Sequence, residues 1–482
     1  MPFPEEHPYL KIIQDISRQK EIRVYLVGGF LRDHFLKRPC LDFDFAVEKN
    51  AVAFARAFAK KIQGAFVLLD AEHGCGRVVK KGPGGPQTYD FADFRAPSLP
   101  KDLLHRDFTI NTLCVDIKDV EPGAELNEIL KDHRGGLKDL KARSVRMNSV
   151  RTFREDPLRL LRAYSHRAVL GFKIEKKTLA QIKKDVKLIR RVSFERVRDE
   201  LFKILASPRA AETLKAMDAC GLLSEILPQI TVMYGVHQGG YHHLDVWPHS
   251  LETVRQFEGV LEQMKDDPDV TAYMGECLAG PRPRYALVKL AALLHDIGKP
   301  ETRKKEVDRI SFHGHEHVGR NIARPMAKAL KLSTRERYVL EDIIQWHLRP
   351  GYLSNFKQPS ERSVFRFFRD TKDEAVSVLL MSLADQRSTR GPLTSEADQR
   401  HHEKICLGLT RRYFEIKKAK PLVRLIDGHD LIKALKLTPS PLFGKILKEI
   451  EEMQATGKVA TREDALAAAR GIAQNGPKAK KA

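Results

Sequence analysis

The chain has 482 residues, 42% of them hydrophobic and 30% charged, and its 84 basic against 63 acidic side chains leave a formal charge of +21. That length and apolar content imply roughly two to four domains with real cores. The six cysteines (Cys40, Cys75, Cys114, Cys220, Cys277, Cys406) are far apart and form no CxxC pair, which excludes a disulfide framework or a cysteine zinc site.

Because basic residues run through the whole chain, the excess charge points to an extended RNA- or DNA-binding surface. The opening MPFPEEHPYLKIIQ lacks the basic-then-apolar pattern of a signal peptide. No apolar run approaches the roughly 20 residues that span a bilayer. The expectation is a cytoplasmic protein with free thiols and no membrane partner.

The stretch Tyr25 to Val47, YLVGGFLRDHFLKRPCLDFDFAV, reads as strand, glycine turn, helix and second strand. Gly28 and Gly29 allow backbone to approach a ligand closely, and the helix start behind them is a seat for phosphate. Arg32, one turn in, adds a cation. Asp42 and Asp44 alternate with Phe43 and Phe45, so on a strand both carboxylates share one face. Paired carboxylates repel unless a cation sits between them, and such hard oxygen ligands suit magnesium. A lone DxD is usually a solvated edge strand; the glycine turn beside it points instead to metal-assisted chemistry on a phosphate ester.

A helix over 51–62 follows, then AFVLLD, RVVKK and TYDFADF as strands, with KKGPGGPQ as a hairpin turn. Asp90 in the last strand is a candidate third carboxylate beside Asp42 and Asp44. In LLHRDFTINTLCVDI, Arg106 and Asp107 precede a helix-like FTINTL and suit a triphosphate oxygen and a ribose hydroxyl. DHRGGLKDLKARSVR then offers a glycine turn and a basic segment.

From about residue 150 helices dominate. In FREDPLRLLRAYSHRAVLGF, Asp156, Arg159 and Arg162 recur at i, i+3, which places them on one helical face with Pro157 in the first turn. TLAQIKKDVKLI, SFERVRDELFKILAS and AAETLKAMDACGLLSEIL read as further helices, a basic block suited to gripping phosphates. The glycine-rich YGVHQGGYHHLDVWP suggests a domain joint. Beyond it His249 opens a helix, and His295-Asp296 end an apolar one. His313, His315, His317, His347 and Asp385 complete a histidine-rich half that points to a metal site whose full ligand set stays open. The tail from about Gly471 reads as disordered.

Together these stretches resemble the class II tRNA nucleotidyltransferases, the CCA-adding enzymes and their poly(A) polymerase relatives, with an appended HD-type domain. Five motifs occur in family order: LVGGFLRD…LDFDF, HRDFTIN, DHRGGLKDL, EDPLRLLRAYSHRAVLGF and SFERVRDEL. The resemblance covers roughly 25–400; the last 80 residues carry no usable motif. It implies an α+β fold: a polymerase-beta-like α/β head over 1–145, then a mostly helical neck over 146–232. An HD-type helical domain over 233–400 and a helical C-terminal region over 401–482 would complete the chain.

By the same resemblance Gly28, Gly29 and Arg32 would touch the triphosphate, and Asp42 and Asp44 would hold Mg2+. Arg106, Arg159 and Arg162 would bind the nucleotide, Asp107 its ribose, and Asp156 with Arg159 would read the base. His249, His295, Asp296 and Asp385 would hold a second divalent metal (Ni, Mn or Mg). The implied partners are the tRNA 3′ end, CTP and ATP. His105 and Lys37 stand where an arginine and a glycine are common.

Base reading has a physical basis. Cytosine and adenine both present an amino donor beside a ring-nitrogen acceptor, which an aspartate and an arginine match; uracil and guanine put a carbonyl and an N–H at those places. Such a pair selects C and A without a template. Between DFADFR and DLLHRDF the chain has only APSLPK, where many relatives carry a longer loop associated with adding the final A. Full CCA addition and CC addition both stay open, ahead of A-only addition or poly(A) synthesis. A further reading makes the HD half the main activity, as a metal-dependent phosphohydrolase.

Overall fold

The alternation that begins at Asp42 builds one strand of a seven-stranded mixed sheet. The structure is a computed structural model and describes residues 8–82, 85–121, 123–240, 242–305, 310–419 and 423–474. It divides into two units, residues 1–209 with 213–228, and residues 210–212 with 229–482.

The first unit opens with α1 (Pro8–Lys20), β1 (Val24–Val27), α2 (Gly29–Phe35), β2 (Asp42–Val47) and α3 (Ala51–Ile62). β3 (Ala65–Asp70), β4 (Cys75–Gly82), β5 (Gly85–Asp93), β6 (Cys114–Asp116) and β7 (Leu130–Lys131) come next. The strand order is β3-β4-β5-β2-β1-β6-β7. β2 and β5 pair in parallel, and the crossover such a pair needs is made by α3 and the β3–β4 hairpin. β4 and β5 pair antiparallel up to Gly82 and Gly85, so the expected turn between them lies outside the described residues.

The apolar face of β2 organises the core. Phe43 stacks on Tyr89 at 4.9 Å and Phe45 on Phe91 at 4.9 Å, with Phe54 and Phe58 of α3 against Phe91. All six rings are fully buried. Fixing this face leaves Asp42 and Asp44 no choice but the opposite one.

Two expectations fail locally. FTINTL forms one 3-10 turn, Thr109–Asn111, and then enters β6. Its polar side chains bond backbone and neighbours instead: Thr112 Oγ1 donates to Thr109 O at 2.7 Å, and Asn111 Nδ2 to Asp107 Oδ1 at 3.0 Å. The helix expected through Asp156 starts later, as α4 (Arg159–Leu170). Pro157 disfavours helical backbone before it, and Asp156 is extended at φ −145° and ψ 103°, so it shares no helical face with Arg159 and Arg162. α5 (Phe194–Leu205) forms as expected. AAETLKAMDACGLLSEIL splits into Ala210–Asp218 and Leu222–Ile226 at Gly221, whose φ is 79°.

The second unit is helical. α6 (Val246–Gln263) starts three residues before His249, and α7 (Arg284–Leu294) is buried along nearly its whole length. α8 (His315–Ala329), α9 (Thr334–Trp346) and α10 (Ala375–Ser388) complete the set that carries the histidines. Helices Gly428–Leu435, Pro441–Ala455 and Arg462–Gln474 pack around their own cluster of Ile426, Leu431, Ile446 and Ile450. Gly471 to Gln474 are therefore helical rather than disordered, and the rest of the expected tail lies outside the described residues. Among the described residues no helix is long and apolar enough to cross a membrane. All six cysteines are free.

Candidate functional site

Gly28 turns the chain from β1 into α2 with φ +83°. A Cβ there would stand 3.0 Å from Arg106 Nη1 and 3.1 Å from Asp44 Oδ2, so glycine is what lets both groups close on the turn. Gly29 opens α2. Arg32 is held on three sides: Nη1 donates to Asn111 Oδ1 at 2.7 Å, and Nε and Nη2 grip Asp33 at 3.0 and 2.7 Å. Arg106 Nε is buried with no hydrogen-bond partner among the described residues, a donor set ready for an anion.

The parallel register puts Asp42 across from Thr88 and Asp44 across from Asp90. Asp42 is exposed and accepts from Thr88 Oγ1. Asp90 is gripped on both oxygens by Arg77, at 2.7 Å each, so its charge is already matched. Among the described residues Asp42 and Asp44 have no such ion pair. Burial pushes the Asp44 carboxyl above the usual range, with Arg106 opposing and Asp90 and Asp42 adding to the rise. A cation between Asp42 and Asp44 would relieve that, and two hard carboxylates fit a divalent ion.

Asp107 is buried and crowded with donors. Arg162 Nε reaches it at 2.9 Å, Asn111 at 3.0 Å and its own neighbour's Phe108 N–H at 2.8 Å. Burial works against its charge, but Arg162, with His166 and Asn111, holds the carboxyl well below the usual range. Arg159 turns its buried guanidinium onto Thr152 O at 3.2 Å, onto His105 O and onto Glu155 at 3.4 Å. Asp156 pairs with Arg196 of α5 at 2.8 Å rather than with Arg159.

These side chains face one cavity of 580 Å3 in the first unit, with Gly28, Asp44, Arg106, Asp156, Arg159 and Arg162 on its wall. That is room for a nucleoside triphosphate. Asn111, His166, Arg196 and Glu200 also line it; they lie within HRDFTIN, EDPLRLLRAYSHRAVLGF and SFERVRDEL, but no spacing there marks them as site residues. Asn111 comes after Asp107 at i+4 and was within reach of the motif; the other three are assembled only by packing α4 and α5.

In the second unit His249, His295, Asp296 and Asp385 converge as expected. His249 Nε2 lies 2.8 Å from Asp385 Oδ1, and His295 Nε2 lies 3.1 Å from Asp296 Oδ2 and 3.5 Å from Asp385 Oδ1. Burial disfavours a charged His295, yet Asp296 and Asp385 push it up to about 10; burial, with His315 and His295 beside it, pushes His347 down to about 3. Of the other histidines, His315 and His347 are buried at the same centre, while His313 and His317 are exposed.

Residues 24–146 match the family described as the poly A polymerase head domain, and 171–233 match the one described as "Probable RNA and SrmB- binding site of polymerase A". Residues 246–390 match the HD domain, and 402–469 match domain 2 of the tRNA nucleotidyltransferases, although no motif is legible there. The A-adding tRNA nucleotidyltransferase of Deinococcus radiodurans is 33% identical over 92% of this chain and 94% of its own. The CC-adding tRNA nucleotidyltransferase of Thermus thermophilus is 30% identical over 92% of both. The chain belongs to the tRNA nucleotidyltransferases.

As a tRNA nucleotidyltransferase it is an enzyme whose head and HD domains imply dependence on divalent metal. Its fold agrees with solved relatives. A CCA-adding enzyme in complex with ATP has a TM-score of 0.67 at 21% identity, covering all of this chain and 96% of that one. The Thermotoga maritima CCA-adding enzyme complexed with tRNA has 0.64 at 21%, covering 97% and 96%.

Proposed function

We propose that this tRNA nucleotidyltransferase adds CMP residues to the tRNA 3′ end, with Mg2+ held by Asp42 and Asp44. The reading rests above all on those two carboxylates standing, among the described residues, without an ion pair beside the Gly28 turn and Arg106. Residues 1–145 act as catalytic head, 146–232 as neck, 233–400 as HD domain and 401–482 as a further helical region, in the cytoplasm.

When bound, the metal lowers the pKa of the attacking 3′-hydroxyl and offsets charge on the departing pyrophosphate. The chain's own residues position and select. Gly28 and Gly29 admit the triphosphate, Arg106 and Arg32 supply cations to its oxygens, and Asp107 accepts from the ribose. Asp156 and Arg159 read the base, which requires Asp156 to exchange Arg196 for the amino group of C or A. Asp90, matched by Arg77, shapes the field rather than holding the ion.

The choice of C without the final A is supported by the connector after β5. It is short and pinned: Asp102 is buried and accepts from Arg95 N–H at 2.8 Å, and Leu99 and Leu103 are buried on either side. Relatives named CC-adding match it at 27–30% identity and the one named A-adding at 33%, so the connector, not kinship, carries the choice. The test is extension of tRNA lacking CCA with CTP alone, ATP alone and both, with sequencing of the 3′ ends. Two C residues from CTP alone, with no A from both, is the expected result; A-tailed products overturn the CC reading. No incorporation of either nucleotide overturns the whole.

A second activity is supported by the buried cluster of the second unit. His249, His295, Asp296 and Asp385 suit a divalent ion such as Ni, Mn or Mg, and a phosphohydrolase activity there would survive Asp42→Ala and disappear with Asp296→Ala.

A further inference from the structure

The second unit holds a cavity of 450 Å3 with Glu316, Trp346, Arg349, Tyr352, Phe356 and Arg366 on its wall. That is room for one nucleotide. Tyr352 is 56% exposed and Phe356 62%, although large aromatic side chains are ordinarily drawn inside. Both rings are carried on anchored backbone. Tyr352 belongs to the helix Arg349–Ser354, and Phe356 O accepts from His401 Nε2 at 2.9 Å. Arg349 lies over the Trp346 ring, its Cζ 5.3 Å from the centroid, which steadies a third ring at the wall. Aromatic faces around an open cavity are stacking platforms for bases, and every base has a face to offer them.

Positive charge runs past the cavity. Arg362, Arg366 and Arg369 recur at i, i+4 and i+7 along one face of the helix Glu361–Thr371, a row about 10 Å long. Glu452 takes all three, and Asp370 takes Arg349 and Arg369, so four guanidiniums meet two carboxylates. A surplus of cations in such a row suits a strand of phosphodiesters better than a single free nucleotide. Glu316 adds an acceptor. Its Oε2 is buried with no hydrogen-bond partner among the described residues; His315 Nδ1 stands 3.9 Å from it, and His317 Nε2 stands 3.6 Å from Oε1, both beyond hydrogen-bond reach. A buried carboxylate oxygen in that state calls for an N–H donor. The amino group of cytosine or adenine is one, whereas uracil puts a carbonyl at that place.

We propose that this cavity is a further RNA site, which holds an unpaired, amino-bearing nucleotide of a single strand. The base stacks on Tyr352 and Phe356 beside Trp346, its amino group donates to Glu316, and the flanking phosphates lie along Arg349, Arg366 and the arginine row. A duplex does not fit the same site, because its base faces and pairing edges are already taken up by neighbours and partners.

Tryptophan fluorescence tests this without a signal from the nucleotide cavity of the first unit. The sequence has two tryptophans, Trp247 and Trp346, and both belong to the second unit. Full-length Trp247→Phe protein, its folding checked by thermal midpoint, is titrated with a short oligocytidylate, an oligouridylate, an RNA duplex and CTP. The same titrations of the chain with both tryptophans, using Trp346→Phe as the blank, give an independent reading. Oligocytidylate should quench Trp346 saturably, with affinity about tenfold lower in Tyr352→Ala and in Phe356→Ala. Oligouridylate should bind about tenfold more weakly, and Glu316→Gln should close that gap. No saturable quench, or an affinity unchanged in both aromatic variants, overturns the site. Equal affinity for CTP overturns the single strand as ligand, equal affinity for the duplex overturns the need for an unpaired base, and equal affinity for the two homopolymers overturns the Glu316 contact.

Discussion

Arg162 and Asp107, 55 residues apart, meet through two nitrogens on one oxygen, Nε at 2.9 Å and Nη2 at 2.8 Å from Oδ2. The pair ties α4 to the loop that carries Arg106, so two parts of the nucleotide cavity are held by one contact. Arg162→Met should lower stability by about 2–3 kcal/mol, toward the low end for a broken buried pair because a third of Arg162 stays in water. Asp107→Asn on top of it should recover part of the loss, and urea unfolding of the four variants in the cycle measures it.

The same pair sets a pH dependence of definite sign. Asp107 is held well below its ordinary value, so its contribution is present above the unfolded carboxylate range and is lost only as pH falls through the folded value. Without the guanidinium burial raises the Asp107 carboxyl, so the Arg162→Met deficit should be largest near neutral pH and shrink as falling pH protonates that carboxyl in the variant.

His166 gives a dependence of the same sign at higher pH. Burial lowers its pKa, with Asp107 opposing, so it stays neutral in the fold while the unfolded chain takes up a proton. Stability should fall as pH drops below the ordinary histidine value, by at most about 1.4 kcal/mol per pH unit. His166→Gln should flatten that slope, as read from urea midpoints between pH 7 and pH 5.5.

Asp44 and Asp90 sit side by side on paired strands but differ in their partners. Asp44→Asn should cost nucleotide incorporation about 1000-fold or more, the several kcal/mol that charge stabilisation by a metal supplies. Asp90→Asn, whose charge Arg77 already answers, should cost about tenfold, and steady-state rates with saturating CTP separate the two.

Gly28→Ala would place a methyl against Arg106 and Asp44 in a backbone conformation that side chains rarely adopt. Activity should fall about 100-fold from misplacement of the triphosphate, while the helical second unit keeps its thermal transition.

If Arg159 reads the base as proposed, Arg159→Ala should cost discrimination more than rate. Misincorporation of UMP relative to CMP should rise by about 100-fold, scored by sequencing products made with each nucleotide in turn.

Much of the head was legible because its signals are local. The period-2 alternation at DFDF, the helical spacing over 51–62 and the glycine pair each depend on neighbours a few residues away. FTINTL and Asp156 misled for the same reason. Their backbone is settled by side-chain hydrogen bonds to Asp107 and Asp139 and by a proline, against which apolar spacing carries little weight. The C-terminal 402–469 carries no reactive residues at diagnostic spacing, so only its apolar core and its match to relatives reveal it.

The sequence by itself determined which chemistry is present: a glycine turn, a strand with two carboxylates on one face, and a histidine-rich helical half. Periodicity and residue type suffice for that, since both are properties of short stretches. Tertiary structure alone decided which charges are free to act. Arg77 answers Asp90, Arg162 answers Asp107 and Arg196 answers Asp156, whereas Asp42 and Asp44 meet no such ion pair among the described residues, and His315 and His347 face each other through their Nε2 atoms. Electrostatic pairing acts over a few ångströms between residues far apart in the chain, and no spacing along the sequence encodes that distance.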